Sequence, residues 1–176
     1  ALFVVIVFGE VGPKGLAGAL SELESDDAVE IFEDLDDDFQ QRILTQLPVG
    51  YRLVLEEGLA FPEASAGRLM QREVVVVPAS WTVGQTIDFM RSAQNLPDDF
   101  YDLFVVDPKH KCQGTVPISR VLRAKRAVTI AEVMETDVRP IPFTMDQEEV
   151  AYLFRQYGLV STPVVDDSGR VLGMIT

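Results

Sequence analysis

The chain has 176 residues, 47% of them hydrophobic, and a formal charge of −13, so it can bury one large core or two small ones and does not have a disordered composition. That charge excludes binding to DNA or anionic lipid through a basic face, because neutralising phosphate needs a surplus of Lys and Arg; no nucleic-acid partner is expected. The single cysteine, Cys112, excludes an internal disulfide and fits a reducing compartment.

The opening apolar run, Ala1 to Phe8, is far shorter than the roughly 20 residues a membrane-spanning helix needs. It also lacks the basic start and the small-residue cleavage site of a signal peptide, and residues 1–15 stay unassigned. Leu16, Ala19, Leu20 and Leu23 then recur at helical spacing. Ser25 reads as the cap of a second helix, with Asp26, Asp27 and Glu30 at its dipole-favoured opening and Ala28, Phe32 and Leu35 on its buried side. A third helix carries Phe39, Ile43, Leu44 and Leu47 and ends at Pro48, and Tyr51–Leu59 is read as a fourth. Short helices with tight polar turns pack as an antiparallel or superhelical array. Charge divides the chain at the same place: residues 16–66 hold 13 acids against two arginines, whereas residues 67–176 hold 14 acids and 12 bases.

Beyond Arg68 the period changes. Val74–Val77 is a β-branched run suited to a buried strand, Thr82 and Gln85 have capping-box spacing, Leu103–Val106 is a second strand closed by Asp107-Pro108, and Gly114 opens a third. An internal repeat organises this part. Met134 follows Met70 by 64 residues, while Asp166 follows Asp107, and Gly173 follows Gly114, by 59. The first copy therefore carries five extra residues, placed in Asn95–Asp99. Asp146 and Glu149 match Thr82 and Gln85, predicting the same cap in both copies, and Val150, Leu153, Phe154 and Tyr157 line the apolar face of the second helix.

Two copies of strand–helix–strand–strand, each with h-h-V-D, a short turn and G-x-h-h, resemble a tandem CBS pair over Leu69–Leu122 and Val128–Thr176. Phe61-Pro62-Glu63-Ala64-Ser65-Ala66-Gly67-Arg68-Leu69-Met70 resembles the Y-P-E-D-S-A-G-G-L-M junction that joins the acidic helical domain of MgtE magnesium transporters to their CBS pair, and Asp146-Gln147-Glu148-Glu149-Val150-Ala151 is close to that family's second-repeat helix start. The resemblance implies an α+β chain: the end of the acidic helical domain over residues 16–66, one CBS repeat over 67–127, and a second over 128–176 that stops before its final helix. It further implies the cytosolic face of a membrane transporter, a homodimer formed through the CBS domains, a transmembrane pore domain elsewhere in the polypeptide, and Mg²⁺ as the regulatory ion that closes the pore when plentiful. No enzymatic activity is expected.

By the same resemblance the sensor ligands fall on Asp26, Glu30, Asp146 and Glu148. Mg²⁺ suits such places because it takes oxygen ligands and keeps several waters, and a divalent ion relieves repulsion among crowded acids. Each has a plain alternative: Asp146 is a good N-cap, Glu148 lies in a first turn, and Asp26 and Glu30 suit a solvated helix face. A family acidic position falls on Gly158, which depletes one site, and a further family cluster lies beyond Thr176. Adenine nucleotide is the other candidate ligand, since many CBS pairs hold ribose with a Ser or Thr three residues, and an Asp six residues, after the strand glycine. Those places are Pro117 and Arg120 in the first copy, while Thr176 keeps the hydroxyl in the second. A plain dimerisation scaffold is a third reading. His110 and Cys112 lack the further ligands or orienting group that metal or nucleophile chemistry needs. Trp81 reads as a packing anchor, and Arg120, Arg123, Lys125 and Arg126 as the exposed side of a helix and linker.

Overall fold

A computed structural model describes residues 12–97 and 99–176. Residues 1–11, most of the unassigned opening segment, lie outside the described residues. Four helices follow: α1 (Gly12–Leu20), α2 (Ser25–Glu33), α3 (Asp37–Leu44) and α4 (Val49–Leu59). Helix α1 packs on α3 and α2 on α4, so neighbours alternate as in a superhelical array. Leu16, Leu20, Phe32, Ile43 and Leu55 are sealed in one core. Asp36 caps α3 by accepting from the Phe39 amide at 2.9 Å, and the Gln40 side-chain amide donates to the Phe32 carbonyl at 2.9 Å, tying the end of α2 to α3.

The rest is two copies of one small sheet. A short helix α5 (Ala66–Leu69) leads into β1 (Val76–Pro78), α6 (Val83–Ser92), β2 (Asp102–Val106), β3 (Cys112–Pro117) and α7 (Ile118–Arg123). Helix α8 (Ile130–Val133) leads likewise into β4 (Ile141–Pro142), α9 (Gln147–Tyr157), β5 (Thr162–Val165) and β6 (Val171–Ile175). In each sheet the first strand pairs parallel with the second and the second antiparallel with the third. The equivalence reaches fine detail: both antiparallel ladders bulge at the residue pair before the h-h-V-D aspartate. Asp107 Oδ1 accepts from the amides of Lys109 and Lys111, as Asp166 Oδ1 does from Ser168 and Arg170. Nine residues separate α6 from β2 but only four separate α9 from β5; the five-residue insertion is where the repeat offset placed it, and its residue 98 lies outside the described residues.

The repeat in sequence is not the packing unit in space. The leader of each copy docks on the sheet of the other: Gln71 exchanges two backbone hydrogen bonds of 2.8 Å with Met174 of β6, and Glu135 exchanges bonds of 2.7 and 3.0 Å with Thr115 of β3. Ala66 and Met70 accordingly join Ile141, Val150 and Val164 in one core, while Ile130 joins Val77, Val105 and Val116 in the other. This crossing explains the repeat glycines. A Cβ at Gly114 would stand 2.4 Å from the Glu135 carbonyl oxygen, and one at Gly173 would stand 2.5 Å from that of Gln71, so only glycine lets the leader approach.

Two local expectations change. Thr82 and Gln85 form the reciprocal capping box, but Asp146 accepts from the Glu148 amide at 2.8 Å rather than pairing with Glu149. Ser25 does not cap α2; Glu24 holds the cap position without a capping side-chain bond, and the Ser25 hydroxyl is engaged elsewhere. Trp81 packs edge-on to Phe89 at 5.3 Å inside the first repeat's core, as an anchor should. Arg120 and Arg126 pair with Glu135 and Asp88 across the linker.

Candidate functional site

The helical array meets the paired repeats along a seam built by residues Arg68–Glu73. The Arg68 guanidinium, its side chain only 11% exposed, donates to the carbonyls of Leu59 at 2.9 Å and Phe61 at 2.7 Å and pairs with Glu33 of α2. Arg72 pairs with Glu57 of α4 at 2.5 Å, lies 5.6 Å from the centre of the Phe61 ring, and donates its amide to Ser25 Oγ at 2.8 Å. Glu73 Oε2 accepts from the hydroxyl of Ser25 at 2.8 Å and from its amide at 3.2 Å.

Acids crowd this seam. Asp26, Asp27, Glu30 and Glu33 line a cleft of about 140 Å³ with Arg68 and Leu69. Asp26 Oδ1 is buried without a hydrogen-bond partner; burial pushes the Asp26 carboxyl up, the backbone amides of Asp27 and Asp26 oppose that, and the charges of Asp27 and Glu73 add to it. Glu24 is pushed up by burial and then by Asp26, Asp27 and Glu73. Tyr51, whose hydroxyl donates to the Leu23 carbonyl at 3.3 Å, rises to about 12, from burial first and then from Glu73, Asp26 and Asp27. Burial is the first cause in all three groups, and the neighbouring acids add to it in each.

Of the four expected ligands, Asp26 and Glu30 share the cleft, one helical turn apart on α2. Asp146 and Glu148 do not line it; they are exposed at the first turn of α9. That turn is nevertheless stitched to the approach to the seam, because the Gln147 amide donates to the Ala64 carbonyl at 2.8 Å and Gly67 donates to Phe143 at 2.8 Å. Among the described residues no group of three or more His, Cys, Asp or Glu side chains stands ready to hold a metal. The cleft offers carboxylate oxygens, the kind of ligand that hard cations such as Mg²⁺ take, with water on their other positions. Gly158, at a family acidic position, is the left-handed cap of α9 with φ 61°, a backbone role that glycine fills without strain. Reading from sequence missed Arg68, Arg72 and Glu73. The one available signal was the poor capping residue at Glu24, which leaves α2 in need of an outside acceptor.

A second cavity, of about 250 Å³, opens between the repeats and is lined by Gln71, Val75, Tyr101, Asp102, Ser161 and Thr176 among others. Ser161 donates to Asp102 at 2.8 Å across it. Arg120, at the position where the first repeat would need a carboxylate for ribose, is committed to the Val133 carbonyl and to Glu135.

Comparison with known proteins places these features in a family. The MgtE intracellular N domain matches residues 6–64, and the CBS domain matches residues 66–127 and 130–176. A crystal structure of the cytosolic domain of the Mg²⁺ channel MgtE in complex with ATP superimposes with a TM-score of 0.89 at 30% identity, covering 98% of this chain and 71% of that one. The chain belongs to the MgtE family. The magnesium transporter MgtE of Thermus thermophilus is 32% identical over 150 residues, covering 85% of this chain and 33% of the transporter, and that of Bacillus subtilis is 23% identical over 174 residues, covering 99% and 39%. The chain thus spans a third to two fifths of these two MgtE relatives. The MgtE matches are to transporters rather than enzymes. Among the described residues no helix is long and apolar enough to cross a membrane.

Proposed function

We propose that this chain is the Mg²⁺-sensing region of an MgtE-type transporter, lying at the cytosolic face of the membrane and gating a pore through the docking of its helical array on its CBS pair. The observation that carries the reading is Asp26 Oδ1, a buried carboxylate oxygen with no donor, in a cleft shared with Asp27 and Glu30. Leaving such an oxygen unpaired costs stability. A bound divalent ion supplies positive charge there. Asp26 and Glu30 would hold it from α2, and the backbone next to Arg68 would feel its presence through the shared cleft. Asp146 and Glu148 would form a separate, more exposed site, completed by water or by acids of a partner subunit or the pore domain. The same proposal includes a homodimer through the CBS helices, where Leu122 of α7 and Tyr152 of α9 are exposed.

Thermal melting with increasing Mg²⁺ tests the seam, since a ligand that binds only the folded form raises its melting temperature. The wild-type chain is expected to gain stability and Asp26→Asn to lose most of that gain. An unchanged melting temperature across the titration would remove the Mg²⁺-sensing reading. Calorimetric titration of Asp146→Asn with Glu148→Gln tests the second site, which an unaltered isotherm would remove.

A second reading has its own support. The structural relative described above is in complex with ATP, and Thr176, the hydroxyl position expected for ribose recognition, lines the cavity between the repeats. A melting shift with ATP in the presence of EDTA would assign that cavity to a nucleotide. No shift under those conditions would exclude nucleotide as an independent ligand of these residues.

A further inference from the structure

We propose that Arg120 is an internal occupant of one of two repeat-related cavities: its guanidinium ties the leader of the second repeat to α7 and keeps external ligands out of the space beside it. The inference goes beyond the sensor reading and does not rest on it. It starts from the repeat itself. Gln71, Glu73 and Val75 of the first leader and Met174 of β6 line the cavity of about 250 Å³. Separated from these by 64 residues in the leader and 59 in the strand, the matching places are Glu135, Asp137, Arg139 and Thr115, and these four line a cavity of about 210 Å³. The fold has thus built one cavity twice, and the two copies differ in what stands in them.

In the smaller copy the charges are spent on neighbours. Arg120 of α7 donates from one guanidinium nitrogen to the Val133 carbonyl at 3.1 Å, at the end of α8, and pairs with Glu135 through another. Both acceptors belong to the second leader, and a planar guanidinium fork suits two acceptors held close together. The Arg139 guanidinium lies 3.8 Å from the centre of the Tyr157 ring. In the larger copy the neutral Gln71 and the apolar Val75 stand in the places of Glu135 and Arg139, and Thr176 adds a hydroxyl to the lining.

The side chains of Arg120 and Glu135 are 43% and 52% exposed, so water screens the pair and the charge attraction alone is worth little. Its effect comes from its place. Glu135 and Thr115 exchange the two backbone bonds that seat the second leader on β3, and Arg120 holds the same glutamate by its side chain. An entering ligand must part the guanidinium from Glu135 against the high effective concentration of an intramolecular contact. The second leader is therefore fixed from within. The first leader, seated by the matching bonds of Gln71 with Met174, borders the cavity that stays open to ligand.

The test is hydrogen exchange by mass spectrometry on the full chain in EDTA, with and without ATP as the probe. Arg120→Ala is expected to keep its far-ultraviolet circular dichroism and to speed exchange of the Thr115 and Glu135 amides about fivefold or more, the size of a lost, half-exposed charge-assisted hydrogen bond. The Gln71 and Met174 amides should keep their rates. Unchanged rates at Thr115 and Glu135, or equal loosening of both leaders, overturn the tie. If Arg120→Ala loses its circular dichroism, Glu135→Gln decides the same point: faster exchange at Thr115 supports the tie and an unchanged rate overturns it. ATP is expected to leave residues 135–139 of wild type unprotected. It should protect them in Arg120→Asp with Glu135→Gln, which removes the guanidinium and sets a carboxylate at the position that ribose recognition needs. Protection of 135–139 in wild type, or none in the double variant, overturns the exclusion. These readings come from the second leader alone, so they stand apart from any response to ATP at Gln71 and Thr176 and from any response to Mg²⁺.

Discussion

Asp26 is the residue on which the proposed sensing turns, and its titration gives a signed prediction. Burial raises its carboxyl above the ordinary value, so the folded chain binds this proton more readily than the unfolded chain, and stability falls as pH rises through the raised value. In EDTA the wild-type chain should accordingly lose stability relative to Asp26→Asn, which has no proton to release, as pH rises from below the ordinary carboxylate value through the raised one. At pH 7.5 without metal the Asp26→Asn variant should melt about 2 °C above wild type, what about 1 kcal/mol is worth in a chain of this size. A variant that melts below wild type there would show that the buried carboxylate is not a liability. Asp166 has the opposite sign: the Ser168 hydroxyl, then the Arg170 amide, hold it well below the usual range, so its contribution persists at neutral pH and is lost as pH falls. Asp26 and Glu30 were legible in the sequence as acids one turn apart on a helix start. Glu73 was not, because its role depends on Ser25 lying across an interface from a residue 48 positions away.

At the scale of elements, the capping box and the repeat glycines carry distinct loads. Thr82→Ala removes the acceptor for the Gln85 amide and should cost about 1 kcal/mol, measured from the urea midpoint. Gly173→Ala drives a methyl against the Gln71 carbonyl and should cost about 1–3 kcal/mol by overpacking. It should also loosen the leader, so that the Gln71 amide loses its protection from exchange. A Gly173→Ala chain as stable as wild type would mean that the leader yields without strain. The alternation of strand, helix, strand and strand was readable from period and offset, down to the five-residue insertion. The exchange of leaders was not, since both Met70 and Met134 look identical in sequence whether they pack on their own repeat or on the other. The backbone bonds of Gln71 with Met174 and of Glu135 with Thr115, and the closeness of each repeat glycine to the other copy's carbonyl, decide it.

Across the whole molecule, the division of charge seen in the sequence becomes a division of labour. An acidic helical array rests on a nearly neutral CBS pair, and the few cations at the junction, Arg68 and Arg72, balance part of the excess. The remainder, centred on Asp26, is what a divalent ion would relieve under the proposed function, and the same seam touches the last strand of the second repeat through Gln71. Composition located the junction near residues 61–67, but the orientation of the two halves required the contacts of Arg68 and Glu73. The most direct measurement is isothermal titration of Mg²⁺ into the wild-type chain and into Asp26→Asn with Glu30→Gln. The wild type should take up the ion with measurable heat and the double variant should lose at least one equivalent of binding. Superimposable isotherms for the two chains would contradict Mg²⁺ sensing at the seam.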